Sequence, residues 1–195
     1  MKLKDIVFIA LFTALITVCA QISIPTTLPF TMQTFAIFLT CALLRDKRCF
    51  FAVGIYVLMG VLGLPVFSGF KGGMGVIASA TGGYILGFLV IPIVMVTFFK
   101  LFKFNVFALI GSMVLGLSLC YILGSVWFAL VYTSESLSFW EILKLCVIPY
   151  LLADSVKILL AVILSVRLLA IRSVREYLGI KGYTEKKKGG LDPAA

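Results

Sequence analysis

The sequence predicts an all-α integral membrane protein of six transmembrane helices with both termini in the cytoplasm. Three observations carry that prediction: the composition, the spacing of the apolar runs, and the placement of the basic residues. Of 195 residues, 62% are hydrophobic and 13% charged, whereas ordinary soluble domains carry about 25% charged residues. A soluble chain of this size has to cover its surface with polar groups. A bilayer removes that requirement by solvating an apolar exterior. At roughly 20 residues per span, the chain has room for six or seven helices and none for a separate soluble domain.

The apolar runs fall at about 6–24, 33–44, 49–64, 79–99, 106–132 and 143–170. The first follows Met1-Lys-Leu-Lys-Asp5 and ends in no A-x-A cleavage signal, so it reads as a retained helix. The second is only 12 residues as bounded here, with Arg45-Asp-Lys-Arg48 between it and the third. It reaches span length by starting near Leu28–Thr31, after the Pro25/Pro29 turn. Residues 1–175 then form one six-helix substrate-binding domain. Residues 176–195 form a polar, turn-rich tail, expected to be disordered and in part an expression remnant.

Charge placement sets the orientation. With both ends inside, the cytoplasmic segments hold Lys2, Lys4, Arg45, Lys47, Arg48, Lys100, Lys103, Arg167, Arg172, Arg175, Lys181 and Lys186 to Lys188, which is 14 of the 17 basic residues. Lys71 and Lys144 fall outside, and Lys157 lies within the last span. That distribution satisfies the positive-inside rule.

The same numbers exclude function classes. A net charge of +9 on a soluble protein would point to nucleic acid; here it is topological, and no nucleic-acid partner is expected. There is no histidine, which removes the commonest metal ligand and general base. Five cysteines, at 19, 41, 49, 120 and 146, show no metal-binding or redox spacing and read as small apolar fillers.

Two places break membrane rules. The first is the outside loop from Gly63 to Gly83, with seven glycines (63, 69, 72, 73, 75, 82, 83) among Phe67, Phe70 and Met74. Glycine lets backbone approach a ligand closely, and irregular backbone at membrane depth needs protein or a wet cavity around it. The loop therefore suits the lining of a pocket; the alternative is a plain connector whose glycines only make turns. The second is Asp154 and Lys157 in the last span, three residues apart and so on one helical face. Ionisable residues inside spans are expensive and mark function; the alternative is a structural ion pair. The first outside loop, Ile24 to Thr34, adds uncharged hydrogen-bonding groups, Thr31 and Gln33 among them. Three irregular or polar elements thus converge on the outer face.

These residues carry a resemblance. Pro29-Phe-Thr-Met-Gln-Thr-Phe35, Gly63-Leu-Pro-Val-Phe67 running through Gly72-Gly73 to Thr81-Gly-Gly-Tyr-Ile-Leu-Gly-Phe88, and Pro149 followed by Asp154 and Lys157 are similar to the BioY family, in collinear order over about residues 5–175. That family comprises biotin-specific substrate-capture (S) components of energy-coupling factor (ECF) transporters. The resemblance implies a six-helix S-component fold and a biotin site on the extracellular side. It also implies partners: one transmembrane coupling subunit and two ATPase subunits. Docking to them is expected through small residues of the first helix, here Ala10 and Ala14.

Biotin carries a ureido ring with two N–H donors and a carbonyl, a thioether ring, and a valerate. The resemblance makes Asp154 the acceptor for the ureido N–H pair. Lys157 then neutralises Asp154, reaches the ureido carbonyl or meets the carboxylate, in that order of preference. The valerate is expected against backbone N–H groups around Gly72 and Gly73, Ser79 or Lys71. Phe67, Phe70 and Tyr84 are expected as walls, with Gln33 and Thr31 closing the pocket.

No phosphate-binding G-x-x-x-x-G-K-[ST] loop is present, so energy is expected from a partner. No cofactor is expected, biotin being the transported ligand. Two other readings remain open at this level: an S component for another vitamin or an autonomous small carrier, and an intramembrane enzyme. The enzyme needs a second acid or base near Asp154, and only Glu135 and Glu141 lie on the outer side.

Overall fold

A computed structural model describes residues 2–26, 28–102, 104–132 and 138–179. The chain is built almost wholly from helices: α1 Leu3–Gln21, α2 Gln33–Leu44, α3 Lys47–Val61, α4 Met74–Ile77, α5 Gly82–Gly87, α6 Val90–Phe102, α7 Val106–Trp127, α8 Phe139–Cys146, α9 Ile148–Ala170 and α10 Arg172–Leu178. A two-stranded antiparallel hairpin, β1 Ser23–Ile24 and β2 Phe30–Thr31, joins α1 to α2 with Ser23 opposite Thr31 and Ile24 opposite Phe30. A π-helical turn, Phe128–Tyr132, extends α7.

Local chemistry sets the helix ends. Arg45 adopts the left-handed conformation (φ 56°), and its N–H returns to Cys41 O at 3.0 Å to close α2. Asp46 then caps α3 by accepting from the Arg48 N–H at 2.9 Å. Asn105 caps α7 the same way, through the Ala108 N–H at 2.7 Å. Pro149 sits in the first turn of α9, where a missing N–H costs nothing. The chain bends by 47° between α8 and α9.

α2 is the central helix. Ten of its twelve residues are buried, and α1, α3, α6 and α9 pack around it. A helix apolar on every side belongs in an interior, and α2, too short to cross a bilayer alone, is enclosed by its neighbours. On the periphery the pattern inverts: Phe107, Leu130, Leu152 and Leu3 are all more than three-quarters exposed. That much outward apolar surface is tolerable only in lipid. Among the described residues, three helical segments are long and apolar enough to cross a membrane: Leu3–Gln21, Gly82–Phe102 and Val106–Val131. The bent pair Trp140–Cys146 and Ile148–Ala170 makes a fourth if it is counted as one span. The protein is therefore a multi-pass membrane protein. α2 and α3 have 12 and 15 residues, which at about 1.5 Å per residue is shorter than the roughly 30 Å hydrocarbon core.

Glycine draws α5 and α7 together. A Cβ on Gly83 would stand 2.2 Å from Trp127 Cβ, and one on Gly87 would stand 2.8 Å from Cys120 Sγ. From the other side, a Cβ on Gly124 would lie 2.4 Å from the Tyr84 ring. Small residues on facing helices permit this backbone approach in lipid. All five cysteines are free and buried. The last helix, α10, crosses residue 175, and the tail from residue 180 onward lies outside the described residues, as do Lys103 and Glu135.

Candidate functional site

Asp154 projects from the second turn of α9, 4% exposed. One turn on, Lys157 places its Nζ 2.7 Å from Asp154 Oδ1. The same oxygen accepts from Thr34 Oγ1 of α2 at 3.2 Å, and Oδ2 accepts from the Tyr121 hydroxyl of α7. Three helices thus meet on one carboxylate. A carboxylate has about four acceptor positions, so a ligand N–H has one open position or displaces a hydroxyl.

Around this pair lies a cavity of about 80 Å³, walled by Leu28, Phe30, Gln33, Tyr84, Phe88, Cys120, Tyr121, Cys146 and Tyr150 among others. A larger cavity of about 410 Å³ adjoins it, lined by Pro25, Thr26, Phe67, Lys71, Gly75, Ser79 and others. Pro29, Gln33 and Thr81 line both, so the two form one bipartite recess beneath the β1–β2 hairpin.

The hairpin is held down by Tyr150. Its hydroxyl donates to Leu28 O, and its ring stacks on Phe30 with centroids 4.2 Å apart. Beneath it runs a relay of hydrogen bonds. Thr31 Oγ1 donates to Gln33 Oε1 at 2.7 Å, Gln33 Nε2 donates to the Tyr56 hydroxyl, and Tyr56 donates to Val66 O at 3.3 Å. Gln33 lines the recess, while Thr31 is buried behind it and serves the relay.

The glycine loop is anchored by Gln21 at the end of α1. Its Nε2 donates to Val66 O and Phe67 O at 3.3 and 3.1 Å, and its Oε1 accepts from the Phe70 N–H at 3.0 Å. Phe67 turns inward, 2% exposed, its ring edge-on to Tyr56 at 5.6 Å and flat on Gly60. Phe70 turns outward instead. It has φ 56°, is 72% exposed, and lines neither cavity. Gly72 and Gly73 also stand behind the wall. A Cβ on Gly72 would meet Leu64 O at 2.2 Å, and the Gly73 N–H donates to Gly60 O at 2.7 Å. Gly72 is small where the loop crosses Gly63 and Leu64, and Gly73 holds φ 92°, a conformation that favours glycine.

Of the residues expected at the site, Gln33, Phe67, Lys71, Ser79, Tyr84, Asp154 and Lys157 therefore share the recess; Thr31, Phe70, Gly72 and Gly73 do not line it. Tyr121, Thr34, Tyr150 and Gln21 escaped sequence reasoning. Thr34 stood inside a quoted motif, and Gln21 is a lone amide ending an apolar run. Tyr121 and Tyr150 carried no signal beyond being hydroxyls in apolar segments. Glu141 is spent at the start of α8, where it accepts from the Ser138 N–H at 2.7 Å. Among the described residues no cluster of three or more metal-ligating side chains occurs.

Ala10 and Ala14 sit far from this recess on an exposed face of α1. With Ile6, Thr17, Ile55 and Met59 they line a shallow apolar groove of about 500 Å³.

Comparison with known proteins agrees with this architecture. The chain is 36% identical over 168 residues to the biotin transporter BioY of Thermotoga maritima, covering 85% of this chain and 96% of that one. To the biotin transporter BioY2 of Lactococcus lactis subsp. cremoris it is 30% identical over 170 residues, covering 86% and 91%. A crystal structure of the S-component for biotin from an ECF-type ABC transporter superposes with a TM-score of 0.80 at 24% identity, covering 90% of this chain and 95% of that one. The fold is accordingly that of an S component. The BioY family description matches residues 1–174, and the chain belongs to the BioY family.

Proposed function

We propose that the chain is the biotin-capturing subunit of an ECF-type vitamin uptake transporter, binding biotin from the extracellular side. It is a transport protein and not an enzyme, as its named relatives are transporters. The observation that carries the biotin reading is the buried Asp154–Lys157 pair at the floor of an aromatic cavity. A cyclic urea presents N–H donors and a carbonyl acceptor side by side, and this pair presents the complementary acceptor and donor. Tyr84, Phe30 and Tyr150 supply apolar surface for the fused rings. Gln33, Phe67, Ser79 and Lys71 then surround the valerate in the larger cavity.

The topology that fits is six spans with both termini cytoplasmic. In this arrangement α2 is a short span enclosed by protein, α3 is a short span with one exposed apolar face, and the Arg45–Arg48 turn and α10 lie on the cytoplasmic side. Release is driven by partners, a transmembrane coupling subunit and two ATPases, docking on the Ala10/Ala14 face of α1. Small residues there allow a partner helix to approach closely.

The test is direct. Purified protein in detergent is titrated with biotin, riboflavin and thiamin by calorimetry, with circular dichroism as a control for folding. Sub-micromolar biotin binding with no response to the other two vitamins supports the proposal, and a helical protein that fails to bind biotin ends it.

A further inference from the structure

The turn that borders the larger cavity is held by a residue that lines neither cavity. Phe67, Ser68, Gly69 and Lys71 border that cavity, and Gln21 does not. Phe67 and Lys71 face each other across the turn, the Phe67 N–H donating to Lys71 O at 3.0 Å and the Lys71 N–H to Phe67 O at 3.3 Å. Between them Gly69 and Phe70 have positive φ, 70° and 56°. A bulky residue keeps that conformation only where its surroundings hold it. The Phe70 ring, 72% exposed, supplies no such hold.

Gln21 supplies it. Its amide spans both limbs of the turn: Nε2 donates to Val66 O and Phe67 O on one side, and Oε1 accepts from the Phe70 N–H on the other at 3.0 Å. Both amide donors are thereby used. The seat of the Phe67 ring on Gly60 and Tyr56 fixes only the near limb. At the tip, the N–H groups of Ser68 and Gly69 have no hydrogen-bond partner among the described residues. Lys71 folds alongside, its Cε 4.0 Å from where a Cβ on Gly69 would stand. Open N–H groups in a turn hold anions, provided the turn keeps its shape.

Resting on the biotin reading above, which puts the valerate in this cavity, we infer that Gln21 is a positioning residue for the acid end of the ligand. It stands behind the wall and keeps the Ser68 and Gly69 N–H groups and Lys71 where one carboxylate meets them together. The ureido end does not depend on it, because Asp154 is held by Thr34 of α2, Tyr121 of α7 and Lys157 of α9. Loss of the Gln21 amide therefore separates ligands by their tails. A carboxylate loses a preformed site and has to order the turn on binding, whereas an uncharged tail has little there to lose.

Titration of the purified protein with biotin and with biotinol, which carries an alcohol in place of the carboxylate, tests this in Gln21→Met and Gln21→Glu. Methionine keeps the length of the side chain and none of its hydrogen bonds; an ionised glutamate keeps the acceptor for Phe70 and loses both donors. Each variant is expected to bind biotin more than about fivefold more weakly than the parent, with biotinol changed less than about threefold and the helical spectrum unchanged. A folded variant that loses less than fivefold for biotin, or that loses biotinol by as large a factor, overturns the inference and leaves the biotin reading standing. Failure of both variants to fold assigns Gln21 to the fold alone and overturns it too. A parent protein that binds no biotin ends both readings.

Discussion

Tyr121 of α7 and Asp154 of α9 are joined by a hydrogen bond from the phenol to Oδ2, the oxygen that Lys157 leaves to other donors. Lys157 and Thr34 hold Oδ1, so the carboxylate plane is fixed from both sides. Such a group is preorganised, since its donors are in place before any ligand arrives.

Asp154→Asn removes the charge that Lys157 neutralises. Biotin affinity is expected to fall by more than about 1.4 kcal/mol, a factor of ten or greater. Breaking one partner of a buried pair costs roughly 3–5 kcal/mol of stability. Asp154→Leu combined with Lys157→Met should therefore regain most of the lost thermal stability while binding no biotin. Calorimetric titration and a melting curve on each variant check both halves; full affinity in Asp154→Asn would show that the carboxylate does not contact the ligand.

Tyr121→Phe deletes one donor and keeps the ring. Hydrogen bonds to charged groups contribute about 1.5–3 kcal/mol, and the freed Oδ2 can turn toward solvent in the recess. The expected outcome is a tenfold or larger loss of biotin affinity with the helical spectrum unchanged. An affinity within twofold of the parent would assign Tyr121 to packing alone.

Gly60→Ala tests the wall rather than the floor. The added Cβ would lie 2.1 Å from the Phe67 ring, so the ring must swing into the recess or α3 must shift. Overpacking of this kind costs about 1–3 kcal/mol. Biotin binding should weaken, and adding Phe67→Leu should restore it by freeing the space. A melting temperature and Kd equal to the parent's would rule out the tight seat of Phe67 on Gly60.

Ala14→Trp places a bulky ring on the exposed face of α1 while leaving the recess untouched. Biotin binding by the isolated protein should be unchanged, whereas uptake by cells co-expressing the coupling subunit and ATPases should be lost. Uptake at the parental rate would move the docking surface elsewhere.

The legible parts of the site were those where the chemistry of a single residue conflicts with its surroundings. Asp154 and Lys157 stand out because charge in an apolar helix needs a reason, and their spacing alone brings them to one face. Tyr121 does not stand out, because a tyrosine in a span has many uses and its partner is 33 positions away on another helix. The glycine loop was legible as unusual backbone, but its division of labour was not. Phe67 and Phe70 are indistinguishable by type and differ only in which side of a positive-φ turn they occupy. Gly72 and Gly73 fit a nest on paper, yet Gly72 is used for its close approach to Leu64, and Gly73 for a positive φ that turns its N–H onto Gly60 O. The second run was expected to reach span length by starting near Leu28–Thr31, but α2 begins at Gln33, because Phe30 and Thr31 pair in the hairpin, and four helices enclose the short helix that remains.

That enclosure has a consequence for the membrane in which the protein works. A helix wrapped by protein has no hydrophobic length of its own to match to the lipid. When bilayer thickness changes, the adjustment falls on the helices at the perimeter, which tilt or bend at a cost of fractions of a kcal/mol per ångström. α2, with Gln33 and Thr34 at its end, stays in register with α9. The recess is thereby buffered against lipid composition, and biotin affinity measured in thin and thick bilayers is expected to be the same.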